Sequence, residues 1–100
     1  MKRRLVVLGL DGFSAELLKK QKDVLPFLWG IVTRYSLDTL KSTFVPTTGP
    51  AWTSFQTRMD LEKHKMLGFL KYNERMDLRL VNSNDIKEEP IYSYLHSKGK

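Results

Sequence analysis

A pair of threonine hydroxyls in a proline- and glycine-rich turn is the first feature of the sequence that can do chemistry. Residues 44–57 read Phe-Val-Pro-Thr-Thr-Gly-Pro-Ala-Trp-Thr-Ser-Phe-Gln-Thr. Pro50 fits the first position of a helix, because the N–H that proline lacks would have no partner there. This places Thr48 at or just before the N-cap, where backbone N–H groups and the helix dipole favour an anion. Thr48 is therefore either an ordinary helix cap or a nucleophile whose attacked phosphate is held by the same N–H groups.

A carboxylate follows the first apolar segment of the chain. Residues 5–10 form a continuous run rich in Val and Leu, which is typical of a central parallel strand buried on both faces. Asp11 comes directly after this predicted strand, at the edge of the sheet where functional groups gather in open α/β folds. The residues leave two interpretations of Asp11 open, a functional carboxylate or a cap of the following helix.

The elements predicted around Asp11 and Thr48 alternate between helix and strand. Ser14 is expected to cap a helix over residues 15–20, and a second helix is expected over residues 26–34. Residues 35–44 favour another strand, which would complete a right-handed βαβ unit with the first one.

The second half of the chain is predicted to contain two further helices and a hairpin. Trp52 and Phe55, three residues apart, are expected to anchor the first of these helices in the core. Gly99 fits the C-cap of the last helix. The predicted elements are a helix from residue 50 or 51 to 57, a charged loop over 58–65, hairpin strands over 67–72 and 78–82, a turn over 82–85 and a helix over 91–97.

Composition indicates a soluble globular chain without disulfide cross-links. The 100 residues are 41% hydrophobic and 28% charged, which limits the chain to at most one domain. The absence of cysteine excludes disulfides and thiolate metal ligands and fits a cytoplasmic protein. A basic start precedes the apolar run of residues 5–10, but that run is too short for a secretory signal. No segment approaches the roughly 20 apolar residues of a membrane span.

The net charge of +6 raises the question of an anionic partner. Eight basic and four acidic residues fall in the first fifty positions, and nine and seven fall in the second fifty, so the excess is spread along the chain. No helix-turn-helix, zinc-finger or RNP pattern indicates nucleic-acid binding. A basic surface that attracts a phosphate-bearing substrate is the favoured interpretation. The alternative is a non-catalytic basic α/β module in which Asp11 and Thr48 are caps and the surface binds an anionic partner.

The order of motifs resembles the amino-terminal part of the type I phosphodiesterase/nucleotide pyrophosphatase family, which belongs to the alkaline phosphatase superfamily. The resemblance covers nearly the whole chain and implies an alkaline-phosphatase-like αβα sandwich with a mostly parallel sheet. Residues 1–100 would then be a single incomplete α/β domain. The segments that carry the resemblance are residues 5–12, Leu25-Pro26-Phe27-Leu28, residues 42–55, Lys63-His64 and residues 82–87.

The resemblance implies metal-dependent hydrolysis of phosphate esters, either phosphodiesters or nucleotide pyrophosphates. Asp11 matches the metal-ligating aspartate of the family. Thr48, two residues before Pro50, matches its nucleophilic Thr or Ser, which also contacts a metal, and this spacing favours Thr48 over Thr47. Two Zn²⁺ ions, or Mn²⁺ or Mg²⁺, are the expected cofactors, and a phosphate-ester small molecule is the expected substrate. A phosphomutase, or a phosphonate or sulfate ester hydrolase, is the alternative within the superfamily.

The sequence departs from the family pattern at three glycine positions. Arg58 stands where a glycine usually follows the threonine at position 57, and Glu62 and Lys65 stand where glycines commonly flank Lys-His. These departures bear on the geometry of the loops more than on the chemistry.

The ligand set for the expected metal ions is incomplete in this chain. The resemblance implies that the remaining Asp and His ligands lie downstream of residue 100. Asp11 and Thr48, even together with His64 and His96, cannot enclose two divalent ions. We therefore expect a fragment of the catalytic domain that is inactive by itself.

Overall fold

The structure, a computed structural model, describes residues 4–100 and divides into two units, residues 4–40 and residues 41–100. The basic side chains of Lys2 and Arg3 at the start of the chain lie outside the described residues. No helix in the described part of the chain is both long enough and apolar enough to cross a membrane.

Two helices, α1 (Ala15–Lys20) and α2 (Pro26–Arg34), form the first unit and contact each other. Their bounds confirm the prediction. The Ser14 side chain accepts a hydrogen bond from the backbone N–H of Leu17 at 3.1 Å and so caps α1. Leu18 is the buried residue of α1, so this helix turns a narrow apolar stripe inward and leaves its charged residues in water.

The strands predicted over residues 5–10 and 35–44 are not present, and the prediction of a parallel βαβ unit is wrong for the described residues. Leu5 is 88% exposed and Leu40 is 93% exposed. The apolar pattern indicates what a segment tends to bury, but a strand forms only where a neighbouring strand binds its N–H and C=O groups. No strand within residues 4–100 pairs with either segment.

A two-stranded antiparallel hairpin in the second unit confirms the other strand prediction, with shorter strands. β1 (Leu70–Tyr72) pairs with β2 (Leu78–Leu80). Asn73 closes the connecting turn, because its side-chain Oδ1 accepts hydrogen bonds from the N–H groups of Arg75 and Asp77, each at 2.9 Å.

Two like charges face each other across this hairpin, since Lys71 is the register partner of Arg79. Asp85, in the 3₁₀ turn Ser83–Asp85, accepts hydrogen bonds from the Lys71 ammonium and from both terminal nitrogens of Arg79, at 2.9 and 2.5 Å. The N–H of Asn82 donates to the same carboxylate at 2.9 Å. Arg79 first, then Lys71 and the Asn82 N–H, hold the pKa of Asp85 well below its ordinary value of 3.8.

The charged segment predicted to be a loop contains a short helix, α4 (Leu61–His64). Asp60 begins it, because the Asp60 side chain accepts a hydrogen bond from the N–H of Lys63 at 3.3 Å. The predicted bounds of the last helix, α5 (Ile91–Ser97), are confirmed. Its C-cap is Lys98, one residue before the predicted Gly99, and Gly99 follows with a φ of 66°.

The longest helix, α3 (Thr48–Thr57), contacts both α4 and α5. Its buried residues are Gly49, Pro50, Thr53 and Thr57. The Thr53 hydroxyl donates to the Gly49 carbonyl at 2.8 Å, and the Thr57 hydroxyl donates to the Thr53 carbonyl at 2.7 Å. These side chains therefore bury no unsatisfied hydroxyl, and their small size lets neighbouring segments approach the helix closely.

The expected core anchors on α3 are not buried. Phe55 is 55% exposed and Trp52 is half-buried, and the two rings form an edge-to-face pair with centroids 5.8 Å apart. At about 100° of rotation per residue, Phe55 lies about 160° around α3 from Thr53 and Trp52 about 100° from it, so neither is centred on the buried face. The prediction was wrong because the small residues, and not the aromatic ones, form the packed face.

At two of the three positions where the family pattern has glycine and this chain has another residue, the backbone has the left-handed conformation that glycine favours. Arg58 ends α3 with a φ of 60°, and Lys65 ends α4 with a φ of 54°. Both N–H groups bond to a carbonyl of the preceding helix at 2.8 Å. Both residues carry a Cβ and therefore bear the steric cost of the left-handed region.

Replacing Lys65 with glycine is expected to raise the free energy of unfolding by about 0.5 to 1 kcal/mol, because it removes the Cβ from a left-handed residue. Lys65 offers a cleaner test than Arg58, whose guanidinium also lies 5.2 Å from the centroid of the Tyr94 ring. Lys65→Ala is the matched control, since it removes the charge and keeps the Cβ. Equal urea midpoints for the two variants would contradict the assignment of strain.

Replacing Asp85 with asparagine is expected to lower the unfolding midpoint in urea at about pH 7, because Lys71 and Arg79 would then face each other without a carboxylate. The folded-state pKa of Asp85 is depressed, so its contribution is fully present above the ordinary value of 3.8. That contribution is lost as the pH falls below this value and through the lower folded-state pKa. The difference in urea unfolding midpoint between the wild type and Asp85→Asn should therefore be smaller at about pH 3 than at about pH 7.

The control for this experiment is Asp77→Asn, the same substitution at an exposed carboxylate of the hairpin turn. It should shift the midpoint less than Asp85→Asn at about pH 7. A midpoint difference for Asp85→Asn that does not depend on pH would show that the carboxylate charge is not the stabilising element.

Candidate functional site

Thr48 is the first residue of α3 and is exposed. Thr47 is the N-cap, with extended backbone and no side-chain capping hydrogen bond, and its carbonyl accepts from the N–H of Ala51 at 3.0 Å. The helix thus begins two residues before Pro50, which is its third residue. The predicted position of Thr48 was wrong by one residue, because proline is tolerated throughout the first helical turn, where N–H groups have no intrahelical partner.

A neighbouring loop packs directly over the second residue of α3. Gly49 is buried, and a Cβ added to it would lie 3.1 Å from Met66 Cε and 3.6 Å from Phe69 Cε1. The carbonyl carbon of Gly68 would be 3.8 Å away. Residues 66–69 therefore form the cover of the first helical turn, and a side chain at position 49 would fit only if the end of the Met66 side chain moved by a few tenths of an ångström.

His64 joins α3 to this loop through both of its ring nitrogens. It is 4% exposed, its Nε2 lies 2.8 Å from the Ser54 hydroxyl oxygen, and its Nδ1 lies 3.0 Å from the backbone nitrogen of Met66. A backbone N–H can only donate, so Nδ1 is the acceptor and the ring proton of the neutral imidazole is on Nε2. His64 therefore donates to Ser54.

This proton arrangement decides what the pair can do. A general base must accept a proton from the hydroxyl it activates, whereas His64 presents an N–H to the Ser54 oxygen. The pair is consequently a structural hydrogen bond and not a nucleophile with its base. Both nitrogens of His64 are also engaged with protein atoms, which leaves no lone pair for a metal ion.

Sequence reasoning missed the contact between Ser54 and His64. The two residues are ten positions apart, and no helical or strand periodicity connects them. The available signal was Asp60, whose type and position before a four-residue helix are those of an N-cap. With α4 predicted, His64 would have been placed at a helix end and not in a solvated loop.

Ser14, and not Asp11, is the N-cap of α1. Asp11 is exposed and lies in a turn, and Gly12 follows it with a φ of 65°. Asp11 belongs to the first unit and Thr48 to the second, so the structure describes the surroundings of each residue separately.

No cluster of three or more His, Asp or Glu side chains is arranged to hold a metal ion in the part of the chain that the structure describes. His96 is exposed on α5. The metal ligands predicted from the sequence are Asp11 and Thr48, and the described residues add no cluster to them.

A cavity of about 430 Å³ lies against α3 on the side away from Thr48. Phe44, Pro50, Ser54 and Leu61 are among the residues that line it. Pro50 is about 200° around the helix from Thr48, at 100° per residue. The cavity therefore opens away from the predicted nucleophile, and we do not assign the substrate to it.

Comparison with known proteins gives one finding that covers the chain. The family model described as type I phosphodiesterase / nucleotide pyrophosphatase matches residues 5–100, which confirms the resemblance that the motifs indicated. No curated protein and no solved structure matches the chain. The matched range includes Asp11, Thr48 and His64. The chain belongs to the type I phosphodiesterase / nucleotide pyrophosphatase family.

Proposed function

We propose that this chain carries the nucleophile of a phosphate-ester hydrolase and that Thr48 is that nucleophile. Membership of a phosphodiesterase and nucleotide pyrophosphatase family supports hydrolase activity on phosphate esters. The observation that carries the assignment to Thr48 is its position as the exposed first residue of the ten-residue α3. A hydroxyl at this position is next to the N–H groups and the positive dipole end that stabilise a phosphoryl anion.

The proposed reaction has two displacements at phosphorus. The Thr48 oxygen forms a bond to phosphorus as its proton leaves, and the bond from phosphorus to the leaving oxygen breaks with its electron pair on that oxygen, which gains a proton. Water then attacks the phospho-threonine: its oxygen bonds to phosphorus, and the bond from phosphorus to the Thr48 oxygen breaks with its electron pair on that oxygen. One proton of the water restores the Thr48 hydroxyl, and the other stays on the phosphate product or passes to solvent. The first turn of α3 contributes by holding the non-bridging oxygens with backbone N–H groups in both steps.

Thr48 is favoured over Thr47 because the two residues play different parts at the helix start. Thr47 is the N-cap and supplies the first carbonyl of the helix, whereas Thr48 is inside the first turn. Thr48 is also the residue that matches the nucleophile position of the family two residues before Pro50. Both threonines are exposed, so accessibility does not separate them.

The donor types present suit the divalent cations that the family implies. Asp11 and Thr48 provide a carboxylate and a hydroxyl oxygen, which are ligands for Zn²⁺, Mn²⁺ or Mg²⁺. Two donors are fewer than the three protein ligands of a catalytic zinc site, so we propose them as members of a larger ligand set. When bound, such an ion polarises the phosphoryl oxygen and neutralises developing charge. We accordingly expect turnover from the full-length protein and not from residues 1–100 alone.

Thr48→Ala in the full-length protein is expected to lower phosphodiester turnover by about 1,000-fold or more, because it removes the attacking oxygen. Hydrolysis of bis-nitrophenyl phosphate, followed by release of nitrophenol, measures this directly. Thr48→Ser should retain measurable turnover, since it keeps an oxygen at the same position. Thr47→Ala is the matched control and should change turnover by less than about tenfold, because the Thr47 side chain makes no capping hydrogen bond.

Turnover that survives Thr48→Ala would refute the assignment of the nucleophile. A panel of a phosphodiester, a phosphomonoester, a sulfate ester and a phosphonate ester identifies the leaving group that the protein accepts. Preference for the sulfate ester, or transfer of the phosphoryl group within one substrate, would contradict phosphodiester hydrolysis while leaving Thr48 in place as the nucleophile.

A further inference from the structure

We infer that His64 is a positioning residue that fixes the first turn of α3, and Thr48 with it, through hydrogen bonds at both of its ring nitrogens; this inference rests on the proposed function. Two hydrogen bonds, from His64 to Ser54 and from Met66 to His64, form what we call the His64 bridge. His64 does not touch the phosphorus that Thr48 attacks. It acts through the helix and the loop that it connects.

One end of the His64 bridge holds the body of α3. The Nε2–H of His64 donates to the Ser54 hydroxyl oxygen at 2.8 Å, six residues along the helix from Thr48. Because His64 is buried, water does not compete freely for this hydrogen bond. A bond at this point restrains the rotation of α3 about its axis, and that rotation sets the direction in which Thr48 points.

The other end of the His64 bridge holds the cover of the first helical turn. The N–H of Met66 donates to Nδ1 of His64 at 3.0 Å, and Met66 Cε is the atom nearest to a Cβ added at Gly49. Gly49 is the residue directly after Thr48. A shift of residues 66–69 would therefore displace the backbone at the start of α3, where we propose that the phosphoryl oxygens bind.

The position of His64 is itself fixed by local structure. It is the last residue of the single-turn helix α4, which Asp60 caps at its start and Lys65 ends in the left-handed conformation. A side chain at this place can reach both α3 and the chain that follows α4. Imidazole suits the role because its two nitrogens can donate and accept at the same time along opposite sides of a rigid ring.

Other side chains reproduce only part of this arrangement. Glutamine at position 64 can supply an N–H near the place of Nε2, and asparagine can supply an oxygen acceptor near the place of Nδ1. Alanine supplies neither. The series His64→Ala, His64→Gln and His64→Asn therefore separates the hydrogen bond to Ser54 from the hydrogen bond from Met66.

The experiment measures steady-state kinetics and amide hydrogen exchange in the full-length protein. With bis-nitrophenyl phosphate as substrate, His64→Ala is expected to lower kcat about 10- to 100-fold and to change KM by less than about threefold, because misplacement of a reacting group affects the transition state more than binding. Exchange should become faster in the peptide that spans residues 48–52. His64→Gln or His64→Asn should restore part of kcat, and Ser54→Ala should add little to His64→Ala, since both remove the same bond.

His96→Ala is the matched control, because it removes an exposed histidine from α5. It should leave kcat and exchange at residues 48–52 unchanged. All kinetics are measured well below the unfolding midpoint of each variant, so that the folded fraction is the same. A kcat for His64→Ala that equals the wild-type value under these conditions would overturn the inference, even if the midpoint falls.

The two proposals fail in different ways. If turnover survives Thr48→Ala, the proposed nucleophile is wrong. Amide hydrogen exchange at residues 48–52 then tests, independently of turnover, whether the His64 bridge restrains the helix start. Unchanged exchange at residues 48–52 in His64→Ala would overturn the inference, and faster exchange would support the bridge as the restraint on the helix start. If turnover depends on Thr48 but not on His64, only the positioning role is refuted.

Discussion

The small-residue face of α3 is the constraint on which the second unit depends. Gly49, Thr53 and Thr57 recur every four residues and are buried, and the two threonine hydroxyls bond to carbonyls of their own helix. A larger residue at Gly49 would meet the cover formed by residues 66–69. With this face turned inward, the opposite side of the helix is left to present Thr48. The packed face and the exposed Thr48 thus lie on two sides of one helix.

The contact between Ser54 and His64 shows why a short distance does not identify a catalytic pair. A hydroxyl 2.8 Å from a buried imidazole nitrogen has the spacing of a nucleophile and its base. The Met66 N–H donates to the other nitrogen, Nδ1, so the ring proton is on Nε2 and the Ser54 hydroxyl accepts a hydrogen bond from it. The same observation that excludes His64 as the base of Ser54 shows that the imidazole connects α3 to the loop after α4.

The parts of the fold that local residues determine could be predicted from the sequence. Ser14 caps α1 with its own side chain, and Gly99 follows α5 in the left-handed conformation, so α1 and α5 were placed with correct bounds. The segment of residues 5–10 was placed wrongly, because its apolar character does not reveal whether another strand lies beside it. The proline- and glycine-rich turn placed Thr48 correctly to within one position of the helix start. The contact of His64 with Ser54 joins two separate segments, and no local sequence pattern indicates it.

The proposal for this family member depends on a covalent bond between Thr48 and phosphorus. Acid quenching of the full-length protein during turnover of a slow phosphodiester, followed by mass spectrometry of its peptides, tests for that bond directly. The account predicts one added phosphoryl group on the peptide that contains residues 47–52, located at Thr48 by fragmentation and absent from Thr48→Ala. Turnover without any phosphorylated peptide, or with the phosphoryl group on Thr47 or Ser54, would contradict it.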